Sequence, residues 1–137
     1  MSGAQGYFEE LSRDECLAIL GYHRFGRLAV VEEGQPDVFP VNYALDGDRI
    51  VFVTRPGTKL EHAGLDRVAF EVDEFASEGD SATSVVVKGT AFEITGALDE
   101  ASVRERSLVV PTWVLPDEVH WVRIVPRDIS GRRVHHV

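Results

Sequence analysis

One cysteine, one methionine and two tryptophans occur in this chain of 137 residues. The lone Cys16 excludes an intrachain disulfide and any metal site built on a cysteine cluster. It sits at an apolar position of a candidate helix, where the expected role is a buried, inert thiol. Basic residues are also scarce: 14 Lys and Arg face 23 Asp and Glu, a net charge of −9. That field repels nucleic acid and anionic membrane surfaces, so neither is expected as a partner. Any anionic ligand must be held by a local basic pocket. No apolar run approaches the ~20 residues that span a bilayer. The first residues, Met1 to Gly6, lack the basic region and apolar stretch of a secretion signal. The expectation is a cytoplasmic protein.

What is present is a globular composition, 44% apolar and 27% charged. The length fits one domain with its own core. Residues 1–10 show no clear period and are expected to be mobile; residues 11–137 form the single domain. Ser12 to Glu15 is a capping box that opens a helix carrying Cys16, Leu17, Ile19 and Leu20 and stopping at Gly21. Phe25–Glu32 reads as a strand, with Gly26 marking a bulge or a close backbone approach. Glu33 to Pro36 turns the chain, Asp37–Leu45 returns, and Asp46 to Asp48 turns it again into Ile50–Thr54. Further strands are expected at Arg67–Phe75, Thr83–Gly96 and Val119–Val125, followed by a polar, basic tail. Gly89 offers the long strand a bend. A helix over Leu98–Val109 starts near Asp99 and places Glu105 and Arg106 on its outer face. Val30, Phe70, Val85, Val87 and Ile94 are the expected core. About six strands without βαβ alternation predict a mainly β protein, an antiparallel barrel with short flanking helices.

The most pointed chemistry lies where the third strand ends. Pro56-Gly57 breaks the strand, and Thr58 caps a short helix, Lys59–Ala63, that stops at Gly64. Free N–H groups at a helix start attract anions. Two hydroxyls, Thr54 and Thr58, and two cations, Arg55 and Lys59, surround them. In an acidic chain this is a local exception. The alternative is an ordinary strand–turn–helix with solvated charges.

Six segments in order, Gly26–Val30, Pro40–Tyr43, Ile50–Leu60, Val68–Asp73, Ser84–Gly89 and His120–Ile124, resemble the FMN-binding split-barrel family, the pyridoxamine 5′-phosphate oxidase-like group. Within it they resemble the short branch that includes the nitroimidazole-resistance proteins. The likeness spans roughly residues 10–131. It implies an antiparallel split β-barrel that pairs as a homodimer, with FMN in the groove between subunits. By position it implies that Thr54, Thr58 and Lys59 hold the phosphate, with Arg55 beside them. Pro40, Val41 and Asn42 would lie along the flavin ring, and Trp113 would cover the ring from the other subunit. The implied activity is that of an FMN-dependent oxidoreductase acting on a small molecule. The chain departs from the full-length oxidases at Phe39-Pro40, where they carry an arginine, so the substrate stays open. Two other readings remain: a flavin or haem binding module without turnover, and the same fold using the deazaflavin F420.

Other constellations point to structure. Glu71, Asp73 and Glu74 read as a solvated acidic face, with Asp73 and Glu74 on opposite sides of the strand. His23 and His62 read as surface or satisfied structural histidines. His135-His136 lacks the rigid third ligand that a metal site needs.

Overall fold

The computed structural model describes residues 7–54, 64–94, 99–110 and 120–135. Eight strands and two helices lie among them. In chain order they are β1 (Tyr7–Glu10), α1 (Arg13–Tyr22), β2 (Phe25–Glu32), β3 (Gln35–Asn42), β4 (Ala44–Asp46), β5 (Arg49–Thr54), β6 (Gly64–Phe75), β7 (Ser81–Glu93), α2 (Glu100–Arg106) and β8 (His120–His135). The helix expected at 59–63 and the loop at 111–116 lie outside the described residues.

The strands form one antiparallel sheet in the order β3-β2-β6-β7-β8-β5-β4, and β1 adds to β8. The two ends of that order, β3 and β4, are consecutive in the chain and are separated only by Tyr43. One run of chain therefore pairs with β2 through its first part and with β5 through its last. This curls the sheet into a split β-barrel, as expected. The count exceeds six for two reasons. The return strand divides at Tyr43, and Tyr7–Glu10, in the stretch read as mobile, pairs with Arg132–His135. The basic tail is likewise strand, because β8 continues to His135 between β7 and β1.

Local chemistry sets the elements. Ser12 accepts from Glu15 N–H at 3.1 Å, and Glu15 Oε1 accepts from Ser12 N–H at 3.1 Å, which starts α1. Asp14 and Glu15 complement the positive helix end. The helix buries Cys16, Ile19 and Leu20. Burial also raises the thiol above its usual range, so Cys16 is the inert group expected. The β2–β3 hairpin turns on Glu33 and Gly34, both with positive φ (51° and 77°), the twist a two-residue turn requires. The β7–β8 register shifts at Gly89, where a Cβ would collide with the Val125 carbonyl oxygen; the expected bend is there.

Leu28, Phe52, Phe70, Val87 and Ile124 meet inside the barrel. The five residues expected in the core are all buried, none more than 5% exposed. Tyr43 is buried among them; its hydroxyl donates to the Leu20 carbonyl at 2.6 Å, and its ring meets Phe70 edge-on at 4.8 Å.

The second helix corrects one expectation. Asp99 caps it by accepting from Ser102 N–H at 2.7 Å, as its position implied. Arg106 is exposed, but Glu105 is 0% exposed and points inward, not to the outer face. Its neighbours are cations on other strands, Arg49 of β5 and Arg123 of β8, which a helical pattern alone does not reveal.

Candidate functional site

The seam of the barrel follows from register. β4 pairs with β5 as far as Ala44 opposite Val51. Continued, that ladder would set Asn42 against Val53 and Val41 against Thr54. The chain instead turns away at Tyr43, and Asn42 pairs with Phe25 of β2. Among the described residues β3 has no strand on its other edge. A split therefore opens between the free edge of β3 and the end of β5. Residues along an antiparallel strand direct their N–H and C=O groups alternately to one edge and the other. The free edge is thus a row of backbone donors and acceptors, interrupted at Pro40, which has no N–H.

The structure brings four of the expected residues to this opening. Pro40 is exposed on the outer face opposite Arg27, Val41 packs on the core from a half-buried position, and Asn42 is half-buried. Thr54 is half-buried at the end of β5, opposite His120 of β8. His120 Nδ1 lies 2.9 Å from Glu93 Oε1. Arg55, Thr58, Lys59 and Trp113 lie outside the described residues.

Glu71 and Asp73, read from sequence as a solvated acidic face, are instead half-buried beside this opening and paired with Arg27. Arg27 stands between Pro40 and Glu71 in one cross-strand row. Its Nη1 donates to Asp73 Oδ2 at 2.9 Å and to Glu71 Oε1 at 3.3 Å, and Ser84 Oγ donates to Glu71 Oε2 at 2.9 Å. Burial, then the Asp73 carboxylate beside it, raises Glu71 above the usual carboxyl range. The available signal was the i, i+2 spacing of Glu71 and Asp73, which puts both on one strand face. Their partner comes from β2, so the strand itself could not show it. Gly26 allows this close approach of β2 to β6: a Cβ there would strike the Phe70 ring and lie 2.8 Å from the Glu71 carbonyl oxygen.

The remaining histidines are placed as well. His23 Nε2 is 2.6 Å from Glu74 Oε2, which makes it a satisfied structural histidine, one of the two roles expected. His135 stacks on Tyr7 at 4.6 Å and lies 2.9 Å from Glu9 Oε1. His62 and His136 lie outside the described residues. Among the described residues no three His, Cys, Asp or Glu gather as a metal-ligand set. No described helix is long and apolar enough to cross a membrane.

A curled sheet whose closing strand changes partners at one residue, leaving an open seam, defines a split-barrel protein. Residues 12–133 match the profile of the pyridoxamine 5′-phosphate oxidase family, and the chain belongs to that family. It is 31% identical over 130 residues to an uncharacterized protein of Rhizobium meliloti, covering 91% of this chain and 83% of that one. Among solved structures it is similar to an FAD binding protein from Mycobacterium smegmatis (32% identity, TM-score 0.77, 91% of this chain and 98% of that one). It is also similar to an FAD-binding protein from Mesorhizobium loti (28% identity, TM-score 0.77, 95% and 98%).

Proposed function

We propose that the protein binds a flavin in the split between β3 and β5 and serves as an oxidoreductase toward a small molecule. The observation that carries this reading is the edge of β3 that has no strand partner among the described residues, facing the Thr54 end of β5. A flavin ring is a flat, largely apolar body with one polar edge. A free strand edge supplies backbone hydrogen bonds to such an edge, and Pro40 and Val41 supply apolar contact. Thr54 and the segment that follows it carry the hydroxyls and cations for the first phosphate: Thr54, Thr58, Lys59 and Arg55. FMN is the smallest ligand with both ring and phosphate. The two solved relatives described as FAD-binding support a flavin over haem or F420.

When bound, the flavin supplies hydride or electron transfer. The chain's own residues anchor the phosphate, orient the ring and limit water at its face. A seam on one small barrel is open to solvent. The proposal includes a homodimer in which Trp113 of the partner subunit covers the ring. Sedimentation equilibrium of the flavin-loaded protein is expected to show a dimer; a loaded monomer excludes this arrangement.

The absorbance spectrum of the purified protein is expected to carry flavin bands, with mass spectrometry of the released ligand giving its identity. Turnover with NADH or NADPH and an electron acceptor separates an enzyme from a carrier. Lys59→Ala tests the phosphate anchor. It is expected to weaken FMN binding by about 1.5–3 kcal/mol, the worth of a hydrogen bond to a charged group. Riboflavin, which has no phosphate, should change far less. Equal losses for both ligands would show that Lys59 is not a phosphate contact; no loss for either would return the segment to the alternative of an ordinary strand–turn–helix.

A further inference from the structure

A groove of about 460 Å³ opens on the outer face of the sheet, within the range of about 300–1,000 Å³ usual for ligand sites. Ala29, Val31, Pro36 and Ala69 line it with apolar surface, and Arg67, Lys88 and Arg127 stand around it. Two irregularities of the sheet bring the arginines there. Between β2 and β6, Ala29 pairs with Ala69 but Val31 pairs with Gly64. Arg67 is thereby displaced from the place opposite Val31 that a regular ladder would give it. Between β7 and β8, Lys88 pairs with Asp128 but Gly89 pairs with Pro126, so Arg127 is the extra residue of a bulge. A bulge re-aims a side chain that a regular strand would direct elsewhere. Arg127 Nη2 donates to Asp66 O at 2.6 Å and to Gly89 O at 3.4 Å, which ties the bulge to the irregular stretch of β6.

Those bonds hold the guanidinium in place and leave its charge uncompensated. Arg67 and Lys88 make no ion pair or hydrogen bond among the described residues, although Asp128 is the register partner of Lys88. Elsewhere Arg13, Arg27, Arg49, Arg104, Arg123 and Arg133 each lie against a carboxylate. In a chain of net charge −9, cations without counter-ions around one groove are a local exception. Like charges so gathered repel, and a bound anion relieves that. The floor is apolar: Ala29 and Ala69 are register partners with short side chains, and the partners Val31 and Pro36 continue the surface. An inorganic anion would leave that surface unused, and a neutral apolar molecule would leave the cations unused. We propose that the groove binds a small organic anion, a carboxylate or phosphate carried on a flat apolar body. Arg127, held by the backbone, presents a fixed guanidinium to the oxyanion, and Arg67 and Lys88 add charge from exposed positions. This site does not depend on the flavin reading of the seam.

The test titrates the purified protein with naphthoate and naphthyl phosphate, and with naphthalenemethanol as the neutral analogue. Amide chemical-shift mapping locates each probe. The amides of Ala29, Ala69 and Lys88 are expected to shift. At least one of the anions should bind at least about tenfold more tightly than the alcohol, the minimum for one charge-assisted contact. The tighter anion identifies the headgroup, and added salt should narrow its advantage. Replacing both exposed cations, Arg67→Ala with Lys88→Ala, is expected to remove most of that advantage. The affinity for the alcohol should stay unchanged, which also shows that the groove is intact. No measurable binding of either anion, equal affinities for anions and alcohol, or an advantage that survives the double substitution would overturn the proposal. Shifts confined to β3 and the Thr54 end of β5 would place the anions at the seam and overturn it too.

Discussion

Phe70→Ala is expected to lower the stability of the protein by about 3–5 kcal/mol, the range for emptying a packed aromatic site. The side chain is 0% exposed. It is held between Leu28 of β2 and Val87 of β7, its register neighbours, and its ring meets Tyr43 at 4.8 Å with the planes at 75°. Gly26 has no side chain where the ring edge passes. Two hydrogen-bonded ladders hold these strands, so the barrel wall cannot collapse to fill the void. Domains of this size have about 5–15 kcal/mol in total, so the loss is a large share. Urea denaturation measures it. A change under about 1 kcal/mol would mean that the ring is not in the core and that the β2–β6–β7 register is wrong. The void would also lie against Tyr43, the residue at which the seam opens, so flavin affinity is expected to fall with stability.

Glu105→Ala should cost a similar amount, about 3–5 kcal/mol, because it leaves buried cations without their counter-ion. Glu105 Oε1 lies 3.2 Å from Arg123 Nε, and Glu105 Oε2 lies 3.7 Å from Arg49 Nη1. All four atoms are buried, and none of these approaches has hydrogen-bond geometry. Arg104 grips Asp46 with two bonds of 2.9 Å, holding that carboxyl below its usual range. Burial, then the Asp46 carboxylate beside it, raises Glu105 above its ordinary 4.5. A folded-state value above the unfolded one contributes stability in full below 4.5 and loses it as pH rises through the folded value. Relative to Glu105→Gln, which cannot titrate, the parent should therefore gain stability as pH falls from neutral toward 4.5. Denaturation of both proteins across that interval reads the difference. A flat difference would show that Glu105 titrates normally, and a neutral Glu105→Ala would show that the cluster does not hold α2 to the barrel.

These two residues mark how far the sequence could be read. Phe70 was legible because Val68, Phe70 and Val72 alternate with Glu71 and Asp73, and a period of two assigns each to a face without knowledge of the partner strands. The same logic located β2, β5 and β7. The Ser12–Glu15 cap and the Glu33-Gly34 turn were legible because their hydrogen bonds and dihedral angles are local. Glu105 was misplaced because a glutamate beside an arginine on a short helix looks solvated until cations from β5 and β8 are brought to it.

The candidate site divides the same way. The order and spacing of its segments were in the sequence, and so were Pro40, Val41, Asn42 and Thr54 as candidates. The division of one strand into β3 and β4 at Tyr43 was not. Nor were the pairing of Tyr7–Glu10 with the far end of the chain, the Arg27 row beside Pro40, or the convergence of Arg67, Lys88 and Arg127 on one groove. Each depends on which strand lies next to which. Strand adjacency is settled by long-range hydrogen bonding and by closure of the barrel around its core, and a one-dimensional pattern of polar and apolar residues does not contain it.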